Sequence, residues 1–298
     1  MSALPIAAPG SPRSPRSISP TWLRFRDALR RHPTAIIGAV ILLLMIVIAI
    51  AAPWLGTIDP QSVAPIRRLR QPSAQYWFGT DMLGRDVYSR VLYGARVSLT
   101  VGLAVALLAT VIGLAIGLVT GYVRLLDAIV MRVMDGLMSI PSILLAIALM
   151  ALTKASIQNV IIAITLAEVP RVVRLVRGLV LTLREQPYVE AAIAAGTGVP
   201  RILIRHILPN TVAPLLVQAT YVCASAMITE AILSFIGAGT PPNIPSWGNI
   251  MAEARSLFQL AGYLIIFPGI CLSLTVLAVN MLGDGLRDAL DPRLARRM

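Results

Sequence analysis

The sequence predicts an all-α protein of the polytopic membrane class, with six transmembrane helices, and three observations predict it. Of 298 residues, 57% are hydrophobic and 13% charged, and the mean hydropathy is +0.78, a composition that cannot clothe a water-soluble surface. The charges gather between long uncharged runs, several of them long enough to cross a hydrocarbon core of about 30 Å. The cations are also unevenly shared: with a cytosolic N-terminus, 18 of the 26 Lys and Arg residues fall on the cytosolic side, as topology favours.

Taken in order, residues 1–33 are rich in Ser, Pro and Arg, with Arg13, Arg16, Arg24, Arg26, Arg30 and Arg31 against the single acid Asp27, and read as a disordered basic cytosolic tail. Residues 34–52 are uncharged over 19 positions and form the first span. Ala49-Ile50-Ala51 looks like a signal-peptidase site, but the run exceeds a usual signal core and more spans follow, which favours an uncleaved anchor. Residues 53–96 form an external loop, with Pro53, Pro60, Pro65 and Pro72. Within it Asp81, Arg85 and Asp86 suit a salt-bridged turn around Gly79 and Gly84. From Asp86 to Arg96 the spacing of Val87 and Val91 opposite Arg90 predicts an amphipathic helix on the membrane surface.

Residues 97–283 carry the five remaining spans. Val97–Val123 is uncharged for 27 residues, and Gly113, Gly117 and Gly121 place small residues on one face, suited to close approach by a helix of this chain or of another. Gly136–Thr153 is a third span interrupted by Pro141, so Ser139 to Ser142 is either a tolerated kink or a bend lining a pore. The fourth, Ala155 to about Val173, is the weakest, because Glu168 and Pro170 interrupt it. Arg171 follows Glu168 by one turn, close enough to pair at the cytosolic interface. Thr211–Thr229 is the fifth, followed by Glu230 and Ser234, and an acid at that depth must face protein or water. The run Leu233–Gly248, with Pro241, Pro242, Pro245 and Trp247, predicts a re-entrant or surface loop, or a proline turn anchored at the interface by Trp247. Leu260–Gly283 is the sixth span, and residues 284–298 are a cytosolic tail in which Arg287 and Asp291 sit four apart.

Between the fourth and fifth spans, residues 184–210 form a polar, basic loop with its own small fold. Gln186 can cap a helix opening at Pro187, and Gly196 ends it; Thr197 and Gly198 turn, Pro200 opens a second helix and Pro209 stops it. Ala191, Ala192, Ala194 and Ala195 leave a face with almost no bulk, which suits either docking by another protein or packing on this chain's own helix ends.

Glu190-Ala191-Ala192, then Gly196, then His206-Ile207-Leu208-Pro209-Asn210, resembles the EAA loop of bacterial ABC importer permeases, with Thr197-Gly198 where that family more often has Ala-Ser. A second, independent resemblance runs through Gly79, Asp81, Gly84, Arg85 and Asp86 to Ser89-Arg90 and Gly94-Ala95-Arg96. It is similar to the FGTDxxGRD signature of the dipeptide, oligopeptide and nickel subfamily, as are Pro245, Trp247 and Gly248 and the ending from Gly283 to Leu294. The resemblance implies a type I importer permease fold and a pore-forming, C-type subunit in the bacterial inner membrane, both termini cytosolic. It also implies partners: a second homologous permease subunit, two ATP-binding subunits that receive Glu190–Gly196, His206, Pro209 and Asn210, and an external substrate-binding protein. ATP-Mg would be held by those partners and no cofactor by this chain.

The residues exclude several other roles. A formal charge of +12 raises nucleic-acid binding only where cations cluster, and here they lie between apolar runs. The sole lysine is Lys154, and no GxxxxGK[ST] run exists to hold nucleotide. Cys223 and Cys271 lie in apolar runs as small hydrophobes, and His32 and His206 read as surface residues, which gives no disulfide, metal or catalytic constellation. A stand-alone proton-coupled carrier would rest on Glu168 and Glu230, two isolated acids without a relay. Ser139, Pro141, Glu230 and Ser234 are the residues expected along the translocation path, with peptides, glutathione or nickel as cargo by the subfamily resemblance.

Overall fold

The computed structural model describes residues 33–290, so all of the expected basic tail but Pro33 lies outside the described residues, as does Asp291 with its expected bond to Arg287. Ten helices are described: α1 Pro33–Ala51, α2 Val87–Tyr122, α3 Arg124–Met138, α4 Ser142–Ala151, α5 Ile157–Leu183, α6 Pro187–Ala194, α7 Val199–Ile202, α8 Leu208–Phe235, α9 Trp247–Glu253 and α10 Tyr263–Leu290. Extended pairing among the described residues amounts to one isolated bridge, Thr80 with Asp86.

Caps and breaks follow the local chemistry. Asp86 accepts from the Ser89 amide at 2.8 Å, Ser156 from Asn159 at 3.1 Å and Ser246 from Asn249 at 3.2 Å, which starts α2, α5 and α9. The chain breaks between α3 and α4 at Pro141, whose ring removes a donor and keeps its predecessor out of the helical region; the two helices turn by 87°.

Close contacts at glycines set how the long helices pack. A methyl group on Gly113, Gly117 or Gly121 of α2 would stand 2.6 Å from the Cβ of Val172, Val176 or Val180 of α5, so the small stripe seats the valines of this chain's own helix. The pairs ascend together, which makes α2 and α5 parallel and requires the chain to return between them, as the bent α3–α4 pair does. On the other side of α2, Gly102 meets Met227 of α8. α1 runs antiparallel to α10, Gly38 against Ala278 and Ala35 against Gly285.

By length and apolar composition, four helical stretches can cross a membrane: Pro33–Trp54, Val87–Tyr122, Val199–Phe235 and Tyr263–Ala289; the bent pair makes a fifth. The remaining expected crossing, the fourth span, falls on α5, which is not among these: its 27 residues are long enough but include Glu168, Arg171, Arg174 and Arg177. Three further expectations are corrected. Asp86–Arg96 is no separate surface helix, because Val87 to Arg96 are the first turns of the 36-residue α2 and Arg90 is buried rather than polar-face. Pro209 does not stop its helix: a π-helical turn at Leu203–Ile207 resets the register, so the ring falls in a first turn where its missing N–H is harmless, and α8 runs on to Phe235. Trp247 is fully buried and no interfacial anchor; its indole N–H donates to the Val91 carbonyl at 3.0 Å.

Candidate functional site

The hairpin between α5 and α8 is held by three buried side chains, Val189, Ile202 and Ile207. Gln186 stands at the N-cap position of α6 but its side chain makes no capping bond, and Pro187 opens the helix. At the other end Gly196 takes φ +76°, and the Gly196 and Thr197 amides bond to the carbonyls of Ile193 and Ala192 at 2.9 and 3.0 Å. Glu190, Ala191, Ile193, Ala194 and Ala195 are exposed and Ala192 partly so, which leaves the small-residue face open. Asn210 donates to the His206 carbonyl at 2.8 Å and to the Tyr188 hydroxyl at 3.4 Å, tying the start of α8 to α6. Pro209 lies beside a cleft lined with Pro200, Arg201, Ile204 and Arg205. The hairpin is thus a compact unit fixed at each end to a long helix, α5 before it and α8 after it.

Ser139 and Pro141 occupy the exposed corner between α3 and α4, where the Ser139 hydroxyl donates to the Gly136 carbonyl at 2.7 Å. Glu230 and Ser234 are not with them. Both are buried at the opposite end of α8, where Glu230 accepts from Ser234 at 2.8 Å and from Ser98 at 3.3 Å, and Ser234 continues through Thr240 to Ser246 and Asn249. Glu168, the other isolated acid, sits in a separate network with Arg171 at 3.2 Å and Ser225 at 3.0 Å.

Asp81, Arg85 and Arg90, signature residues expected on the external side, form one ion cluster with Glu253. Asp81 accepts from Arg85 Nε at 2.6 Å and from Arg90; Arg85 reaches Glu253 at 2.8 Å, and Arg90 grips Glu253 with both terminal nitrogens at 2.8 Å. Asp86 is the helix cap instead of a third member. Gly79 and Gly84 adopt φ +76° and +73°, and a side chain at Gly84 would overlap the Ala64 carbonyl. Pro245 lies in the turn before Ser246, and Gly248 packs on the backbone of Ala231. Sequence reading missed Glu253; the available signal was that it is the only carboxylate between Glu230 and Asp284, in a chain whose residues 53–96 are rich in arginine. It also missed Asp127 and Asp135 of α3, which pair with Arg177 and Arg174 of α5, the former at 2.7 Å through one of its two bonds and the latter at 2.6 Å.

A bundle of long apolar helices with one ordered polar hairpin between two of them defines the class: a multi-pass membrane protein. The chain belongs to the family described as binding-protein-dependent transport system inner membrane component, whose model matches residues 96–296. Residues 21–72 match a second model, the N-terminal TM domain of oligopeptide transport permease C. The chain is 57% identical to a probable peptide ABC transporter permease of Sinorhizobium fredii over 95% of this chain and 96% of the relative. It is 42% identical to a dipeptide transport system permease of Alkalihalophilus pseudofirmus, over 98% of each chain, and 42% identical to a glutathione transport system permease of Escherichia coli, over 99% of this chain and 96% of the relative. In fold it is similar to a chain of the inward-facing MetNI methionine ABC transporter, with a TM-score of 0.52 at 20% identity over 66% of this chain and 95% of that one. The resemblance read from the motifs is therefore correct: this is an ABC importer permease subunit, a transport component whose family leaves ATP hydrolysis to partner subunits.

Proposed function

We propose that this chain moves small peptides inward across the bacterial cytoplasmic membrane by alternating access, paired with a homologous permease subunit, served by an external binding protein and driven by two ATP-binding subunits that dock on the hairpin from the cytosol. ATP-Mg belongs to those subunits, and the chain itself takes no cofactor. Peptide cargo is the common thread of the Sinorhizobium and Alkalihalophilus relatives, and glutathione, named for the Escherichia relative, is itself a short peptide; a nickel complex is the alternative by subfamily resemblance. The observation that carries the mechanism is the hairpin's open, small-residue face at Ala191, Ala194 and Ala195, fixed between α5 and α8. A partner's backbone can approach such a face closely, and any displacement passes straight into two membrane helices.

The test is Gly196→Val combined with Glu190→Lys in the assembled complex. A β-branched residue at φ +76° disrupts the end of α6, and the charge reversal alters its exposed face. Peptide uptake and substrate-stimulated ATP hydrolysis should both fall by at least about tenfold while the subunits still assemble. Unaltered coupling would remove the hairpin from the mechanism.

A further inference from the structure

Arg171 and Arg174 are charged side chains at a depth where the helix beside them is uniformly apolar. The α2–α5 register pairs Gly113 with Val172 and Gly117 with Val176, which places Arg171 level with Ile112 and Arg174 with Ala115. Both levels lie inside the uncharged run Val97–Val123, about 3 Å and about 7 Å past its midpoint at 1.5 Å per residue, within the half-thickness of about 15 Å of a hydrocarbon core. The Glu168–Arg171 pair, expected at the cytosolic interface, thus stands level with the middle of the uncharged run of α2. Yet the two arginine side chains are 52% and 51% exposed on the surface of the chain.

Lipid cannot cover that surface cheaply, and a snorkelling arginine would reach for the near interface. Arg171 instead reaches back toward the external side, to Glu168 at 3.2 Å, and Arg174 is held sideways by Asp135 at 2.6 Å. The face is also distinct from the part of α5 that suits lipid. Ile162 and Leu166 are exposed at 53% and 47% on the external half. Arg171, Arg174 and Gly178 are exposed about 130° away around the helix at 3.6 residues per turn. Asp135 then connects this charged face to the corner: the Ser139 amide bonds to the Asp135 carbonyl, so Ser139 and Pro141 follow within two turns.

Each guanidinium has five N–H donors. The one bond each makes to a carboxylate leaves nitrogens turned to the open side, in the planar geometry that grips a second carboxylate. We propose that Arg171 and Arg174 line the aqueous substrate passage and bind the α-carboxylate of a peptide in transit. This rests on the importer reading for its cargo, but the exposure to water does not.

The experiment uses the full complex in proteoliposomes, with Cys223→Ala and Cys271→Ala, and compares Arg171→Cys and Arg174→Cys. The probes are a radiolabelled mixture of di- to pentapeptides and two water-soluble methanethiosulfonates, one adding a trimethylammonium group and one a sulfonate. Expected are uptake reduced roughly tenfold or more in each variant, modification of both thiols, and modification slowed at least about threefold by peptide during turnover. The cationic adduct should restore uptake and the sulfonate should not. Failure of the thiols to react, or equal uptake with either adduct, overturns the proposal. Loss of the second permease subunit on co-purification also overturns it, by assigning the face to an intersubunit contact. If the cysteine-free parent itself accumulates no peptide, the peptide reading falls; the labelling rates of the two thiols still decide whether the face is wet.

Discussion

Glu253 joins two stretches that sequence treats as unrelated signatures, because Arg85 and Arg90 from one side both end on it. Arg90 is 1% exposed and its Nε has no partner, so the cluster depends on the two carboxylates for compensation. Replacing Glu253 by Ala leaves Asp81 alone against two buried guanidinium groups, and removing one partner of a buried pair costs about 3–5 kcal/mol. The detergent-solubilised complex should lose thermal stability and appear at lower level in membranes, whereas the exposed Glu185→Ala should leave both unchanged. A Glu253→Ala protein as stable as its parent would mean that the cluster holds nothing together. Gly84→Ala should behave similarly for a steric reason, since φ +73° and the Ala64 carbonyl both oppose a Cβ.

At the scale of elements, the α2–α5 contact is a row of valines seated on a row of glycines, and it makes a reciprocal prediction. Gly117→Leu overpacks the contact against Val176 and should destabilise by about 1–3 kcal/mol, seen as a lower midpoint and faster proteolysis; adding Val176→Ala should recover most of it. No recovery would place the damage elsewhere on α2. How legible an element was in the sequence followed from how local its causes are. Helix α6 was readable almost to the residue, because Pro187 and Gly196 act on their own backbone. The stripe of Gly113, Gly117 and Gly121 was visible, but its partner was not, since nothing in a glycine names the valine that will cover it. Pro141 located the break between α3 and α4 and could not give the 87° angle, nor tell that Asp127 and Asp135 of α3 would pair with Arg177 and Arg174, 50 and 39 positions later. The same distance in sequence hid Arg90: a lone arginine opposite valines spells a surface helix until Glu253 neutralises it from 163 residues away.

For the whole molecule, packing gathers the ion cluster at one of two ends and the hairpin at the other, with the Glu168–Arg171 and Asp135–Arg174 pairs between them. Tyr263 donates to the Thr80 carbonyl at 2.7 Å, so the start of α10, the ion cluster and residues 53–86 share one end. The hairpin follows the last turn of α5, where Val180 packs on Gly121, and the Tyr221 hydroxyl donates to Asp284 at 2.7 Å near the end of α10, so these belong to the other. The surplus of arginine lies with the hairpin, and the orientation we propose, which the cation bias favours, puts that end in the cytosol. Because α1 runs antiparallel to α10 with Ala35 against Gly285, its first turn is carried to the same side, and the whole arrangement must invert together or not at all. Two single thiols test it on a background of Cys223→Ala and Cys271→Ala. In intact spheroplasts a membrane-impermeant maleimide should label Ser62→Cys, in the exposed external loop, and reach Glu185→Cys, beside the hairpin, only after the membrane is opened. The reverse pattern would put the hairpin outside, away from any source of ATP, and would remove the docking mechanism along with the orientation.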